Sequence, residues 1–423
     1  MGQIDVAYVL ERFPSLTETF VAEEIRHLEN LGVTIHLFSL LSPRTRLVHP
    51  VSAALAPQVR YAPEIYASSL WWAQLHFLFK MPGRYLQALW TLVSHPAPAA
   101  SFVLKRVVIF LKGVWVARHL EGSSAQLVHT HFAWLPAAAC MVIGRLLDRP
   151  FTVTAHAFDI YSQKSDLLPL ITRMAARVVT ISDYNKEAIL DRSVGLDPQR
   201  VQVIRCGIDL DHFQPPTLPK AQEAVAQART PRADGVFQII SVGSLIEKKG
   251  HEYLIRACSA AQGLDFQCVI IGAGELESRL RTLIHDLHLD DRVVLAGGQA
   301  QTWVRDRLAQ SDLFVLPCVV GEAGERDGIP VAMMEALAME VPVISTPVAG
   351  IPELIRHEET GLLVPQKDPA ALAEAMVRLA RDEPLRQRLA KNGRALVERE
   401  YDIRKNAGRV AELFEQVIEE RGK

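Results

Sequence analysis

Apolar positions along this chain gather into short runs, and each run is followed by a stretch with helical spacing. Val6–Leu10 and Thr34–Leu40 predict buried strands, and residues 19–31 between them carry apolar side chains at helical intervals. The alternation returns with strands at Leu127–His131, Phe151–Ala155, Val178–Ile181 and Val201–Arg205, and with a helix at Pro136–Leu147. Strand and helix in regular succession belong to a parallel sheet covered on both faces. Residues 214–235 hold four prolines and no strand pattern, so they read as a linker. Phe237–Val242 restarts the succession. Strands follow at Phe266–Ile271, Val293–Ala296, Leu313–Leu316, Val341–Ser345 and Gly361–Val364, with helices at Glu252–Ala261, Leu276–Leu287 and through Glu335. Amphipathic helices over Ala370–Leu379, Leu385–Tyr401 and Lys405–Glu420 close the chain.

The pattern therefore predicts an α/β protein of two doubly wound domains, residues 1–213 and 236–400. In such sheets ligands sit at the C-terminal strand ends, here expected to meet in a central cleft. A length of 423 residues agrees with two cores rather than one.

One region departs from the alternation. Residues 69–120 contain SLWWAQLHFLFK and SFVLKRVVIFLKGVWVARHL, apolar segments interrupted by Lys80, Arg84, Lys105, Arg106, Lys112 and Arg118. Neither can span a bilayer, but tryptophan and basic residues at a boundary suit helices lying on a membrane surface. The plainer reading makes them core helices with Trp71 and Trp72 inside.

Composition narrows the function. With 49% hydrophobic and 22% charged residues the chain is of ordinary globular type. A formal net charge of −2 lacks the basic excess of a nucleic-acid binder. Five scattered cysteines without a CxxC fit reduced thiols better than disulfides or a zinc site. The N-terminus lacks a secretory signal pattern, so a cytoplasmic location is expected.

The candidate chemistry lies at strand ends. Gly321–Glu335, GEAGERDGIPVAMME, runs from a glycine-rich loop into a helix. Glu335 has apolar neighbours Val331, Ala332, Ala338 and Met339 at three- and four-residue spacing. It either edges into solvent, accepts a backbone or arginine hydrogen bond, or binds a ligand. Ser241–Gly250 puts a lysine just ahead of a helix, Gly272-Ala273-Gly274-Glu275 is a tight turn opening another, and Gly328 opens the Glu335 helix, so all three suit a phosphate. No dinucleotide fingerprint and no GxxxxGK[ST] loop is present. Asp209-Leu210-Asp211 spells a DxD remote from these loops. In the first half, Glu11–Glu18 leaves the first strand, with Thr17 suited to capping the next helix. His129 and His131 share one face of a strand, and a metal there would lack a third ligand. His156 stands at a strand end.

Taken together, Asp327-Gly328-Ile329-Pro330 through Glu335, Pro342–Thr346, Gly350–Leu354, Cys206–Asp209, Gly243–Gly250 and Gly272–Glu275 resemble the retaining nucleotide-sugar glycosyltransferases of family 4. Glu11–Phe20 is similar to the branch that builds bacterial exopolysaccharides such as colanic acid. The resemblance covers nearly the whole chain. It implies a GT-B fold of two Rossmann-like domains, with residues 401–423 returning to the first. It also implies a nucleoside diphosphate sugar as co-substrate and no metal. By position, Lys249 would neutralise the departing diphosphate, with His156 and Asp327 beside the transferred sugar. Gly243, Ser244, Gly272, Gly274, Gly328, Ile329, Val331 and Glu335 would complete the donor site, Glu335 on the ribose hydroxyls. Ser15, Thr17, His131 and His156 would lie on the acceptor side. A lipid-linked or oligosaccharide acceptor and a peripheral place on the inner membrane face are the implied setting. Ser244 stands where the family has arginine, which removes one cation and leaves room for a non-catalytic partner subunit. A nucleotide-sugar epimerase would share the fold.

Overall fold

The computed structural model describes residues 4–15, 19–43, 50–162, 167–215 and 235–422. The chain forms two compact units, Met1–Gly207 with Ile403–Lys423, and Ile208–Asp402. The division falls ahead of residue 213 for a local reason. Ile208 bridges to Asp402, and the Phe213 carbonyl accepts a bond from Arg394, which holds this segment in the second unit. Most of the linker, residues 216–234, lies outside the described residues.

In the first unit the strands are β1 (Asp5–Arg12), β2 (Thr34–Leu41), β3 (Arg60–Tyr61), β4 (Leu127–His131), β5 (Phe151–Ala155), β6 (Arg177–Thr180) and β7 (Val201–Val203). All pair in parallel, in the order β3-β2-β1-β4-β5-β6-β7. The order reverses between β1 and β4, so the loops leaving those two strands flank the switch point. Every residue of β4 and β5 is buried. The histidines and threonines of LVHTH and FTVTA must therefore find partners inside the sheet. Thr130 Oγ1 donates to the Val9 carbonyl at 2.5 Å, and His129 Nδ1 meets Thr152 Oγ1 at 2.8 Å. Hydrogen bonding in the core accounts for His129.

The helices of this unit are α1 (Thr19–Asn30), α2 (Pro50–Leu55), α3 (Ser68–Lys80), α4 (Pro82–Ser94), α5 (Ala100–Leu120), α6 (Leu135–Leu147), α7 (Ala157–Tyr161), α8 (Leu168–Met174) and α9 (Asp183–Arg192). The final helix of the chain (Ile403–Gly422) joins them. One core lies under α3–α6. The other joins α1 to that final helix, with Val21, Leu28, Val410, Phe414 and Val417 against Val6 and Tyr8.

Helices α3–α5 correct one part of each reading of residues 69–120: which cations face outward, and where the tryptophans lie. Arg106 is 1% exposed and donates to the carbonyls of Leu92, His95 and Pro96, which satisfies the end of α4. Lys112 is also buried and donates to the Leu40 carbonyl at 2.6 Å. These two cations hold the core and are not available to a membrane. Trp71 and Trp72, in contrast, are 50% and 70% exposed rather than packed inside. No described helix is long and apolar enough to cross a membrane.

The second unit has β8 (Phe237–Val242), β9 (Phe266–Ile271), β10 (Val293–Leu295), β11 (Leu313–Val315), β12 (Val343–Ser345) and β13 (Leu362–Leu363), in the order β10-β9-β8-β11-β12-β13. The switch point lies between β8 and β11. Its helices are α10 (His251–Ala260), α11 (Glu277–Asp286), α12 (Gln301–Leu308), α13 (Val331–Ala338), α14 (Ile351–Leu354), α15 (Pro369–Arg381) and α16 (Glu383–Glu400), which makes the final helix α17. The apolar pattern had not shown β3 or α12. β3 is two residues long, and α12 buries only Val304 and Leu308.

Candidate functional site

In the second unit the loops after β8, β9 and β11 come together around glycines. Gly272 has φ +155°, and a Cβ there would lie 1.9 Å from the Gly243 carbonyl oxygen. Gly250 has φ +70°, and its Cβ would meet the Pro317 carbonyl oxygen at 1.9 Å. Only glycine allows these backbones to touch. Gly274 is equally crowded, its Cβ position lying 2.4 Å from the Leu245 carbonyl. The β8 loop is thereby pressed onto both neighbours, and Lys249 lies with its stem across Gly243.

At this meeting point Asp327 is held by two lysines. Lys248 Nζ is 2.8 Å from Oδ1 and Lys249 Nζ 2.6 Å from Oδ2. Burial alone would raise the Asp327 pKa, but Lys249 and then Lys248 outweigh it and hold the group at about 2. Lys249 is shifted reciprocally: burial would lower its pKa, and Asp327 lifts it above the ordinary lysine value. The trio carries a net positive charge next to α13. That helix begins at Val331, with Pro330 as an extended N-cap rather than the first helical residue, and Met333 N donates to Pro330 O at 3.0 Å. The amides of Ile329 and Val331 lie at this electropositive end. Ser244 is half-buried in the same loop as the lysines. Lys248 places a second cation beside Asp327.

Glu335 is 7% exposed, which removes the solvated-edge reading. Burial pushes its carboxyl up to about 7, although a bond from Gln301 Nε2 at 3.0 Å works the other way. A carboxyl so placed can take hydrogen bonds from hydroxyls at little further desolvation cost. Within the Asp209–Asp211 pair a local turn is closed by Asp211 N donating to Asp209 Oδ1 at 2.9 Å.

A second cluster occupies the switch point of the first unit. His131 Nε2 is 2.9 Å from Glu24 Oε1, and His131 Nδ1 is 3.1 Å from His156 Nε2. Tyr8 Oη donates to the same Glu24 oxygen at 2.8 Å. His156 caps α7 in a capping box with Asp159, whose Oδ2 accepts from His156 N at 2.9 Å and from Ala133 N at 2.8 Å. Its ring lies between Phe20 and Phe132, at centroid distances of 5.0 and 4.7 Å. Phe132 reaches that position with φ +73°, a left-handed backbone that bulky residues rarely adopt. Burial, with repulsion from His131, lowers both His129 and His156 to about 3, so both are neutral at ordinary pH. Burial raises Asp159 to about 7 against its two amide bonds. Glu24 goes the other way: burial would raise it, but charge attraction to His131, with hydrogen bonds from His131 and Tyr8, outweighs burial and brings it to about 2.

The structure thus brings together Lys249, Asp327, Gly243, Ser244, Gly272, Gly274, Gly328, Ile329, Val331 and Glu335 in one unit, and His131 with His156 in the other. Ser15 is half-buried in the loop after β1. Thr17 lies outside the described residues. Sequence reading missed Glu24, and the statement that His129 and His131 lack a third potential ligand is corrected, because Glu24 stands beside them. The signal was there: Glu24 falls three residues after Val21 and four before Leu28, on the buried face of α1. It also missed Lys248 as a partner of Asp327.

Comparison with known proteins settles the family. The model described as Glycosyltransferase Family 4 matches residues 17–212, and the one described as Glycosyl transferases group 1 matches residues 224–396. WcaL of Salmonella typhimurium, named as a colanic acid biosynthesis glycosyltransferase, is 30% identical over 389 residues, covering 89% of this chain and 90% of its own. The chain belongs to glycosyltransferase family 4. AmsK of Erwinia amylovora, an amylovoran biosynthesis glycosyltransferase, is 36% identical over 227 residues, 53% of each chain. Among solved structures, a glycosyltransferase from Rickettsia africae superposes with a TM-score of 0.73 at 18% identity, covering 99% of both chains. Anabaena HepE, solved with UDP and glucose, gives 0.72 at 15% identity, covering 98% of this chain and 100% of its own. These likenesses show the GT-B fold, and with the relatives they make the family 4 protein a glycosyltransferase.

Proposed function

We propose that this glycosyltransferase moves a sugar, with retention of anomeric configuration, from a nucleoside diphosphate sugar to a lipid-linked glycan in exopolysaccharide synthesis. The observation that carries the reading is the Asp327 clamp at the start of α13. Two lysines held by one carboxylate keep a net positive charge ready for a diphosphate, and they are not spent on a permanent neutral pair. When the donor binds, Lys249 exchanges Asp327 for phosphate oxygens, and its charge counts most as the diphosphate leaves. Lys248 supplies the cation absent at Ser244. Because the lysines and the α13 amides carry the charge compensation, the reading calls for no metal. Glu335 accepts from the ribose hydroxyls, and Asp327 and His156 orient the sugar. Ser15, Thr17 and His131 belong to the acceptor side. The names of WcaL and AmsK motivate the exopolysaccharide setting.

A thermal-shift screen against nucleotide sugars tests the donor, since a ligand that binds only the native state stabilises it by mass action. The anomeric configuration of the product, read by NMR, tests retention. Turnover without an acceptor would favour an epimerase. Donor hydrolysis no faster than buffer would favour a non-catalytic subunit.

A place at the cytoplasmic membrane face is supported by α3 and α4. Trp72, Phe79 and Trp90 are 70%, 81% and 69% exposed, with Arg84 and Lys105 also at the surface. Such aromatic and basic neighbours suit an anionic bilayer surface. Co-sedimentation with anionic liposomes should fall in W72A/F79A/W90A and in R84E/K105E. Wild-type protein left in the supernatant at low salt would sink this part of the reading.

A further inference from the structure

The buried chain in the first unit has a direction that is set from its Glu24 end. At one end Glu24 is ionised and can only accept, so the His131 nitrogen facing it, Nε2, must carry a proton. At the other end the His156 backbone is fixed at the start of α7, its amide donating to Asp159 Oδ2 at 2.9 Å. With the His131 proton on Nε2, its Nδ1 presents a lone pair to His156, and the proton of neutral His156 sits on Nε2. His156 Nε2 then donates to His131 Nδ1 at 3.1 Å, and His131 donates onward to Glu24 at 2.9 Å. Every link agrees with its neighbours, and reversing one would set two lone pairs or two protons against each other.

The group can also be read as three metal ligands, because Glu24, His129 and His131 offer atoms within 4.8 Å of one another. The hydrogen bonds favour the chain. His131 spends one nitrogen on Glu24 and the other on His156, and His129 Nδ1 meets Thr152 Oγ1 at 2.8 Å.

We propose that Glu24 is a positioning residue for sugar transfer, fixing through His131 the tautomer and orientation of His156. The proposal rests on the reading of His156 as a sugar-side group. It assigns a task to α1, whose other inward residues are apolar or bonded within the helix. The aromatic rings of Phe20 and Phe132 restrict the His156 plane, and the hydrogen-bonded chain restricts rotation within it. A ring fixed in both senses costs little reorganisation when the reacting sugar arrives.

The test combines NMR with kinetics. Imidazole nitrogen-15 shifts of wild-type protein should show neutral His156 protonated on Nε2, in the absence of any substrate. Glu24→Gln keeps the size of the side chain and one acceptor, but its amide can also donate, so His131 and then His156 should become tautomeric mixtures. In the same variant kcat should fall about 10- to 100-fold, with the donor KM within about twofold of wild type. Glu24→Asp, which keeps the carboxylate, should recover part of the loss. Wild-type His156 protonated on Nδ1, unchanged tautomers in Glu24→Gln, or an unchanged kcat would each overturn the proposal. Stoichiometric zinc in the purified protein, with histidine signals that change on chelation, would overturn it in favour of a metal centre. If no sugar transfer is found at all, the NMR result still decides the structural claim, and the functional reading fails separately.

Discussion

The two switch-point clusters solve different problems with similar means. Each contains one carboxyl near 2 and one near 7: Asp327 and Glu335 in the second unit, Glu24 and Asp159 in the first. In the second unit the low carboxylate is matched by two lysines, so the cluster remains charged and can trade Asp327 for another anion. In the first unit the low carboxylate ends a hydrogen-bonded line of imidazoles that leads to neutral His156, and the cluster offers fixed dipoles. A diphosphate needs the former. Neutral sugar hydroxyls are better served by the latter, because stationary dipoles orient them without the desolvation penalty of an unpaired charge.

Lys249→Ala should break the comparison most severely. Under the proposed mechanism Lys249 neutralises the departing diphosphate, so its removal should lower turnover by about 10²- to 10³-fold. Steady-state kinetics with the best donor from the screen measures this, and wild-type rates in the mutant would remove Lys249 from the reaction.

Glu335 comes next, through pH. Its folded pKa of about 7 exceeds the ordinary 4.5, so the folded protein binds the extra proton between those values. The associated stability is fully present below pH 4.5 and is lost as pH rises through 7, a change of up to about 3 kcal/mol. Asp159 acts in the same direction. Denaturant titrations from pH 5 to 8 should show this slope flattened in Glu335→Gln. Donor binding should release protons near pH 7, because ribose hydroxyls favour the charged carboxylate. Calorimetry in buffers of different ionisation enthalpy would detect the release.

Lys248 sharpens the contrast at a smaller scale. Lys248→Ala should weaken donor binding about tenfold, corresponding to roughly 1.4 kcal/mol. Ser244→Arg should restore affinity in that background and add little to wild type. If Ser244→Arg alone tightens binding as strongly, Lys248 is not the replacement cation. The smallest expected effect is at Phe132. Glycine there would relieve about 1 kcal/mol of backbone strain while freeing the His156 ring. The melting temperature should hold or rise slightly while turnover drops a few-fold.

Legibility from sequence followed the geometry of each cluster. The second unit presents its groups in motifs local to three loops, and the spacing from Lys249 to Gly250 and from Asp327 to Glu335 was readable. Glycine crowding also left its mark as glycine. The first unit spreads its cluster over β1, α1, β4 and α7, and Glu24 hides beside Glu23 as an ordinary helix carboxylate. Apart from β3, the strands of both sheets were legible because burial on both faces leaves short, mostly apolar runs. Residues 69–120 misled because charge on an apolar helix says nothing about where the charge ends. Arg106 and Lys112 reach backbone carbonyls that only the folded chain supplies.

The return of α17 to the first unit sets an order of events during synthesis. Val410, Phe414 and Val417 fill the core beside β1 and α1, and Phe414 lies 5.0 Å from the His129 ring and 6.2 Å from Tyr8. The first unit is translated first but cannot close this core until α17 leaves the ribosome. The second unit has all its strands earlier and can fold while its neighbour waits. A nascent chain stalled short of Ile403 would hold a finished second unit while the apolar face of α1 stays uncovered.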